Sequence, residues 1–315
     1  MNSLFNTVGT AVTDNNFRAQ MDTAGLNWSV SKRPIYCVDD DDVMCPSTQF
    51  YGIMRDDNKR ILGVVGKDYT PLQNEELFYL CERLQPQGVK VETAGALEGG
   101  ARVWIQMAGD PMGIGTAQDE VVPYFVMTNG HNGMYPLAGL PTTYRVICQN
   151  TLNLAIRNGK KNGTMISIRH HGNISDRLES MIDAVENFKD RTAKFYTRAE
   201  SLARKDVTTD FVQKFWTDVY VNMFGDIHET TETAAQESDN KTAASTMTKW
   251  CDIFDLESRN SGTNLWTAYN AVSYWLDHSQ TYRGNNKTEN RFTDTLFGTG
   301  AKEKLEVFDI ALAYS

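Results

Sequence analysis

The middle of the chain carries the hydrophobic pattern of short strands. Four runs rich in β-branched and aromatic residues are separated by turns that contain glycine: GVKVETAGAL, ARVWIQMAG, VVPYFVMTNG and TYRVIC. Such runs between turn residues are typical of strands. FYGIMRDDNKRILGVVGKDY adds a hairpin pattern, with two strand-like runs around an Asp-Asp-Asn turn. GTMISIRHH is a fifth strand after TYRVIC, and SKRPIYCV is an extended segment nearer the N-terminus.

Two helices are predicted beside these strands. PLQNEELFYLCERL has Asn74 as its expected cap and two glutamates in its first turn. NTLNLAI, directly after TYRVIC, has apolar residues at helical spacing. DDDDVMCPSTQ is read as an acidic loop. The mixture predicts an α+β core with an antiparallel sheet and flanking helices.

The period changes at residue 174, where a helical region is predicted to begin. Apolar residues then step by three and four along one long helix: Leu178, Met181, Val185, Phe188, Thr192, Phe195, Ala199 and Leu202. This stripe favours packing within its own domain. The alternative is a self-association seam, with Phe188 and Phe195 near the contact.

Further helices are predicted at residues 211–224, at TMTKWCDIFDLES, at TNLWTAYNAVSYWLDH and at AKEKLEVFDIALAY. GDIHETTETAAQESDNKT and SQTYRGNNKTENRF are read as polar loops. The predicted organisation is an N-terminal arm at residues 1–49, an α+β core at 50–173 and a helical region at 174–315.

Charge is distributed unevenly along the chain. The net charge is −9, but residues 145–177 contain six basic residues and one acidic residue. This basic window therefore has a net charge of +5, which leaves −14 for the rest. A concentrated basic face on an acidic protein can bind polyanions. The alternative is a basic surface loop that neighbouring acidic residues balance.

Other chemistry has little support in the sequence. Five cysteines at irregular spacing include no CxxC pair, which favours free thiols in a reducing compartment. No P-loop and no HExxH motif occurs, so no nucleotide or metal cofactor is expected. We identify no signal peptide and no apolar run long enough for a membrane helix, and we expect no membrane partner.

A polar cluster marks the change from TYRVIC to NTLNLAI: Cys148, Gln149, Asn150 and Thr151. Asn150 or Thr151 suits a helix N-cap. A helix N-terminus is also an anion site, because its free N–H groups point toward the ligand. Amides at that position, followed by lysines, would suit a sugar–phosphate backbone.

The candidate nucleic-acid-binding residues follow from this reasoning and lie in or beside the basic window. They are Arg145, Gln149, Asn150, Arg157, Lys160, Lys161, Arg169 and His171. Aromatic residues on nearby strands are candidates for base stacking or for the core: Trp104, Tyr124, Phe125 and Tyr144.

Two other functions remain open from the residues alone. An enzyme acting on nucleic acid or a small molecule would use Cys148, His170 and His171. On paper, Cys148, His131 and Asn150 also form a thiol-protease set. A structural or host-interaction protein would use the polar cluster only for capping, and the net acidity favours this reading.

Several segments resemble, in order, those of the phage/plasmid-like protein family, the domain of unknown function 932. They are GVVGKDYTPLQNEELF, TAGALEGGARVWIQM, TTYRVICQNTLNLAI, ISIRHHGNISDRL, NLWTAYNAVSYWLDH and FGTGAKEK. The resemblance runs from about residue 50 to the C-terminus. It implies a mobile-element protein in the cytoplasm of a bacterial host, with no assigned chemistry.

The order of the predicted elements is also similar to the core of phage single-strand annealing proteins, which assemble on DNA. We therefore expect a non-catalytic protein that binds or anneals single-stranded DNA in recombination and forms a homo-oligomer. No cofactor or metal is expected.

Overall fold

The computed structural model describes residues 4–14, 16–116, 119–145, 151–153, 166–170, 175–228, 233–279 and 286–315. Within these ranges the helices are α1 Leu4–Val8, α2 Phe17–Thr23, α3 Asn74–Leu84, α4 Ser175–Ala203, α5 Thr209–Phe224, α6 Ala234–Ser261, α7 Leu265–His278, α8 Lys287–Phe297 and α9 Thr299–Tyr314. The strands are β1 Thr10–Ala11, β2 Val30–Val38, β3 Met44–Arg55, β4 Ile61–Gly66, β5 Lys90–Leu97, β6 Arg102–Ala108, β7 Met112–Ile114, β8 Asp119–Gly130, β9 Leu137–Arg145, β10 Thr151–Asn153 and β11 Ile166–Ile168.

The larger sheet has the strand order β1-β5-β6-β8-β9-β10, with β7 beside β8 and β11 beside β9. Strands β5, β6 and β8 pair antiparallel, with Ile105 opposite Ala94 on one side and Met127 on the other. Strand β11 pairs antiparallel with the first half of β9. Together with the C-terminal helices, these sheets confirm the predicted α+β class.

The smaller sheet is formed by β2, β3 and β4, each antiparallel to its neighbour. The hairpin predicted around Asp-Asp-Asn is confirmed as β3 and β4. The acidic loop predicted over residues 39–49 is shorter than expected, because β3 already begins at Met44. Strands β2 and β3 therefore make a second, long hairpin.

Within the described residues, the chain forms two compact units. Unit 1 comprises Met1–Asp110, Tyr124–Thr142 and Asn158–Asp190. Unit 2 comprises Pro111–Pro123, Thr143–Arg157 and Arg191–Ser315. The division predicted from the sequence, into residues 1–49, 50–173 and 174–315, stays a prediction.

The core of unit 1 is centred on strand β6. Adjacent residues of a strand face opposite sides of the sheet, and both Trp104 and Ile105 are fully buried. Both faces of β6 are therefore covered. Phe5 of α1 packs against Trp104, with ring centroids 5.7 Å apart, and α3 also contacts β6.

The core of unit 2 surrounds helix α7. Most of its residues are buried, so its aromatic side chains pack within the unit rather than cover its surface. The Trp250 ring lies between Trp216 and Trp275, at centroid distances of 6.2 and 5.9 Å. Trp216 Nε1 also donates to the carbonyl of Ala268, at 3.1 Å.

The long helix predicted after residue 174 is confirmed as α4. Its two phenylalanines are buried within the chain, with 4% and 7% of their surface exposed. Phe188 contacts Phe125, and Phe195 contacts Trp266 and Phe308. The stripe therefore packs on its own chain at these positions, and the placement of Phe188 and Phe195 in a self-association seam is wrong.

Three other local predictions are wrong. Residues 151–153 form strand β10 rather than the start of a helix. Helix α6 already begins at Ala234, inside the predicted polar loop, because Thr233 and Gln236 form a capping box. Helix α8 begins at Lys287, inside the second predicted polar loop, and continues to Phe297.

Candidate functional site

Most of the predicted nucleic-acid-binding residues lie outside the described residues: Gln149, Asn150, Arg157, Lys160, Lys161 and His171. Cys148, the candidate nucleophile, lies outside them as well. Arg145 is the last residue of β9, but its side chain is not among those described. Arg169 directly follows β11 and is exposed.

The helix predicted at NTLNLAI, whose N-terminus was expected to bind an anion, is not formed at residues 151–153. Thr151–Asn153 form strand β10 beside β9. The predicted helix N-terminus, with its free N–H groups, is therefore not formed at these positions. A short apolar run does not distinguish a strand from a helix by its period, and β-branched Thr151 suits a strand.

Three of the four candidate stacking aromatics are core residues. Trp104, Phe125 and Tyr124 have 0%, 1% and 6% of their surface exposed. None of these rings can stack on a base without unfolding the sheet, so their assignment to base stacking is wrong. The side chain of Tyr144 lies outside the described residues.

Two lysines lie close to the described end of the basic window. Thr70 N donates to the carbonyl of His170, at 3.0 Å, and so joins the turn after β4 to the residue after Arg169. Exposed Lys67 belongs to that turn, and Lys32 Nζ donates to the carbonyl of Tyr69, at 3.1 Å. Lys67 and Asp68 thus belong to a turn whose backbone is bonded to residue 170, and Lys32 is bonded to the same turn.

His170 itself lies in the interior of unit 1. Only 4% of its surface is exposed, and its ring centroid is 5.0 Å from that of Tyr69. The Tyr69 hydroxyl donates to the carbonyl of Gly130, at 2.9 Å, and burial raises the pKa of this phenol. His170 is therefore not placed to meet a substrate from solvent.

His131 is also fully buried and has a defined hydrogen-bond partner. Its Nε2 lies 3.0 Å from Oδ1 of Asn74, and its ring centroid is 5.4 Å from that of Trp28. Asn74 Nδ2 donates to the carbonyls of Leu26 and Trp28. The Asn74 oxygen is then the acceptor, so His131 carries its proton on Nε2.

Burial lowers the pKa of His131 from its ordinary 6.5 to about 3, with smaller effects from His170 and Arg55. The imidazole is therefore neutral at pH 7. Its Nδ1 has no hydrogen-bond partner among the described residues. A fully buried neutral imidazole, held by Asn74 and packed on Trp28, is a structural group, which argues against the thiol-protease set that included it.

Sequence reasoning missed the role of Asn74. The residue was expected to cap α3, but Gln73 is the cap, and Glu76 accepts its backbone N–H at 2.7 Å. Asn74 faces inward and links α3 to the segment before β2 and to His131. No local signal distinguishes a capping asparagine from one that bonds across the fold.

A cleft of about 580 Å³ opens beside Trp28 in unit 1. Its lining includes one cation, Arg18, and four carboxylates: Asp22, Asp56, Asp57 and Glu75. Hydrogen bonds from Ser31 and Ser29 lower the pKa of Asp56, and Arg55 lowers that of Asp57. Arg18, Arg33 and Arg55 pair with Glu75, Asp56 and Asp57, so neighbouring cations compensate most of this negative charge.

Unit 2 has a cavity of about 450 Å³ between α5 and α6. Its lining combines the apolar side chains of Val212, Trp216 and Phe254 with Cys251 and two aspartates. Partial burial raises the pKa of the Cys251 thiol, and Asp255 and Asp252 raise it further. Because the thiolate is the nucleophilic form, this cysteine is poorly placed for covalent catalysis.

Metal binding has no support in the described part of the chain, where no three His, Cys, Asp or Glu side chains are grouped to hold an ion. In the acidic turn, Asp39 Oδ1 instead accepts the backbone N–H groups of Asp41 and Val43. Of the helices within the described ranges, none has both the length and the apolar character that a membrane span requires.

Comparison with known proteins places the chain in one family. Residues 61–296 match the model of a domain of unknown function (DUF932), and the chain belongs to that family. No curated protein and no solved structure matches the chain. The match begins at β4, so the β2–β3 hairpin precedes it.

The match ends close to the buried ion pair of unit 2. Lys304 Nζ lies 2.7 Å from Asp277 Oδ1, and the side chains are 1% and 6% exposed. Arg291 on α8 donates to the Asp277 carbonyl and lies 2.9 Å from His278 Nδ1. These contacts join the C-terminal helices to one another.

Proposed function

We propose that this protein binds single-stranded nucleic acid, most readily DNA, through the basic window at residues 145–177. It would act without catalysing a reaction, in recombination or annealing on a bacterial mobile element, in the host cytoplasm and as a homo-oligomer. The observation that carries the proposal is the charge distribution, with +5 in this window and −14 elsewhere. Phosphate contacts supply most of the affinity of sequence-independent binding.

The described residues support this electrostatic reading at one end of the window. Arg169 is exposed, and exposed Lys67 lies in the turn that is hydrogen-bonded to the next residue, His170. The lining of the cleft beside Trp28 has more carboxylates than cations, which favours the basic window over this cleft as the binding surface. Trp104, Tyr124 and Phe125 are buried and are not expected to stack on bases.

Binding is favoured over catalysis by the surroundings of the candidate nucleophiles and bases. His170 and His131 are buried, and the pKa of Cys251 is raised. Neither histidine is placed to exchange a proton with a substrate in solvent.

The test is fluorescence anisotropy with a labelled oligo-dT strand and a labelled strand of mixed sequence. We expect wild-type protein to bind both strands with similar affinity, and Lys160→Glu/Lys161→Glu to bind both more weakly. The matched control is Lys241→Glu/Lys249→Glu, which makes the same change of charge at exposed lysines of α6. Equal loss in both double variants would show a general charge effect and would remove the basic window from the proposal.

A further inference from the structure

Two cysteines face each other across the β2–β3 hairpin. Cys37 of β2 is the direct antiparallel partner of Cys45 of β3. Opposed residues of an antiparallel pair project from the same face of the sheet, with Cα atoms about 4.5–5.5 Å apart. Disulfides join Cα atoms about 4.4–6.8 Å apart, so the register alone brings the two thiols within bonding reach.

The turn between the two strands holds this register. Asp39 N donates to the carbonyl of Val43, at 3.1 Å. The Asp39 carboxylate accepts the N–H groups of Asp41 and Val43 through Oδ1, and the Cys45 thiol through Oδ2, at 3.6 Å. Three of these hydrogen bonds involve only backbone and carboxylate atoms, so the hairpin tip is closed without any contribution from the sulfur atoms.

Packing does not explain these cysteines. Cysteine is among the most frequently buried residue types and usually behaves as a small apolar side chain. Cys81 of α3 follows this rule and is fully buried, whereas Cys37 and Cys45 are both exposed free thiols. Two exposed cysteines at directly opposed positions have little to contribute to the core, but they are placed to react with each other.

We propose that Cys37 and Cys45 form a redox-reactive dithiol that closes reversibly to a disulfide by exchange with a small-molecule disulfide of the oxidised glutathione class. The thiolate of one cysteine attacks a sulfur of the small disulfide, which breaks that S–S bond and releases one small thiol. The second cysteine then attacks the protein sulfur of the mixed disulfide, forms the Cys37–Cys45 bond and releases the second small thiol. The protein loses two protons and two electrons, and the small disulfide gains them.

Because Cys37 and Cys45 lie opposite each other, the second step is intramolecular, and the mixed disulfide should be short-lived in the wild-type protein. Within a reducing compartment such a bond is transient and redox-responsive rather than structural. The dithiol precedes the family match at residues 61–296, so it adds a chemical feature outside the shared domain. It is also independent of the proposed nucleic-acid binding.

The sequence provides a direct readout of this bond. Trypsin cleaves after Lys32 and Arg55 but not before Pro34, and it releases a peptide of residues 33–55 whose cysteines are Cys37 and Cys45. The folded full-length protein is treated with oxidised glutathione, and the remaining free thiols are blocked with an alkylating reagent. The protein is then digested with trypsin, and the mass of the 33–55 peptide is measured. We expect it to have lost two hydrogen atoms and to carry neither an alkyl group nor glutathione. Reduced glutathione in excess should restore two alkylated thiols.

Single variants separate the dithiol from two independent thiols. In Cys37→Ser or Cys45→Ser the remaining cysteine has no partner, so we expect the glutathione adduct to persist on that peptide. Cys251→Ser is the matched control, because it removes an exposed cysteine from α6 and should leave the closure of the 33–55 peptide unchanged. A wild-type peptide that carries two glutathione adducts, or two alkyl groups after oxidation, would overturn the proposal.

Discussion

Lys304 of α9 and Asp277 of α7 form an ion pair in the interior of unit 2, with Nζ 2.7 Å from Oδ1. Lys304 Nζ also lies 3.4 Å from the carbonyl of Thr295. Removing one partner from a buried pair leaves the other charge uncompensated in a medium of low polarity. The pair thus makes the packing of α7 and α9 sensitive to single substitutions at either position.

Asp277→Ala is expected to lower the free energy of unfolding by about 3–5 kcal/mol. The double change Asp277→Leu/Lys304→Met removes both charges and should cost much less than either single change. Urea denaturation measures the difference. Glu237→Ala breaks the exposed pair with Lys241 on α6 and should change stability by less than about 0.5 kcal/mol. Equal effects at the buried and exposed pairs would contradict this account.

His131 is expected to make the stability of the protein fall at acid pH. Its pKa is depressed in the folded state, from 6.5 to about 3, so between these values the unfolded chain binds a proton that the folded chain does not. Unfolding free energy should therefore decrease as the pH falls below 6.5, by up to about 1.4 kcal/mol per pH unit from this one group. This stability is fully present above pH 6.5.

Denaturation of wild type and His131→Gln at several pH values isolates that contribution. The stability difference between the two proteins should be constant above pH 6.5 and should shrink as the pH falls toward 3. His228→Gln, a change at a partly exposed histidine of unit 2, serves as the control. Parallel pH profiles for wild type and His131→Gln would show that His131 does not stay neutral in the folded protein.

Gly63 of β4 should not tolerate a side chain. A Cβ atom there would lie 2.6 Å from Cα and 2.7 Å from the carbonyl oxygen of Asn132, which are backbone atoms that cannot rotate away. Gly63→Ala is therefore expected to cost about 1–3 kcal/mol of stability. Gly66 of the same strand has no atom within 4 Å of its Cβ position, so Gly66→Ala should be neutral or stabilising. Thermal melting compares the two, and a similar melting temperature for both would refute the close contact.

Assembly into a homo-oligomer stays a prediction, but Phe188 and Phe195 are not its contact residues. Light scattering at micromolar concentration, with and without oligonucleotide, is expected to show a mass above that of one chain. Phe195→Ala should lower stability by about 3–5 kcal/mol, because it empties a buried site. Loss of assembly in Phe195→Ala without loss of stability would show that Phe195 is an assembly contact rather than a core residue.

The sequence predicts the regular elements of this protein well where the hydrophobic pattern extends over many residues. The stripe along α4 and the β-branched and aromatic runs of β5, β6 and β8 are confirmed as helix and strands. The runs of β6 and β8 are nearly continuous because these strands are buried on both faces over most of their length. Residues 151–153 were predicted wrongly, since three residues are too short for a period to distinguish strand from helix. The start of α6 was missed because its signal is the capping pair Thr233 and Gln236 rather than an apolar stripe.

The candidate site could be predicted only as a distribution of charge. Composition shows that residues 145–177 are basic, but it does not show which side chains face solvent. Trp104 and Phe125 illustrate the limit, because an aromatic residue on a strand looks the same in sequence whether it stacks on a ligand or fills the core. The pairing of Asn74 with His131 joins positions 57 residues apart, and no local pattern encodes such a contact.

The basic window is expected to bind single strands through their phosphates, and the salt dependence of that binding tests this expectation most directly. Each contacted phosphate releases counterions, so the logarithm of the association constant should fall with the logarithm of salt concentration by about 0.7 per contact. Anisotropy titrations with oligo-dT at a series of salt concentrations give this slope. We expect a steep slope for wild type, and one that is shallower by about 1.4 for Lys160→Glu/Lys161→Glu, with an unchanged melting temperature. Absence of wild-type binding at about 50 mM salt, where phosphate contacts are strong, would contradict the proposed function, as would a slope that the double variant leaves unaltered.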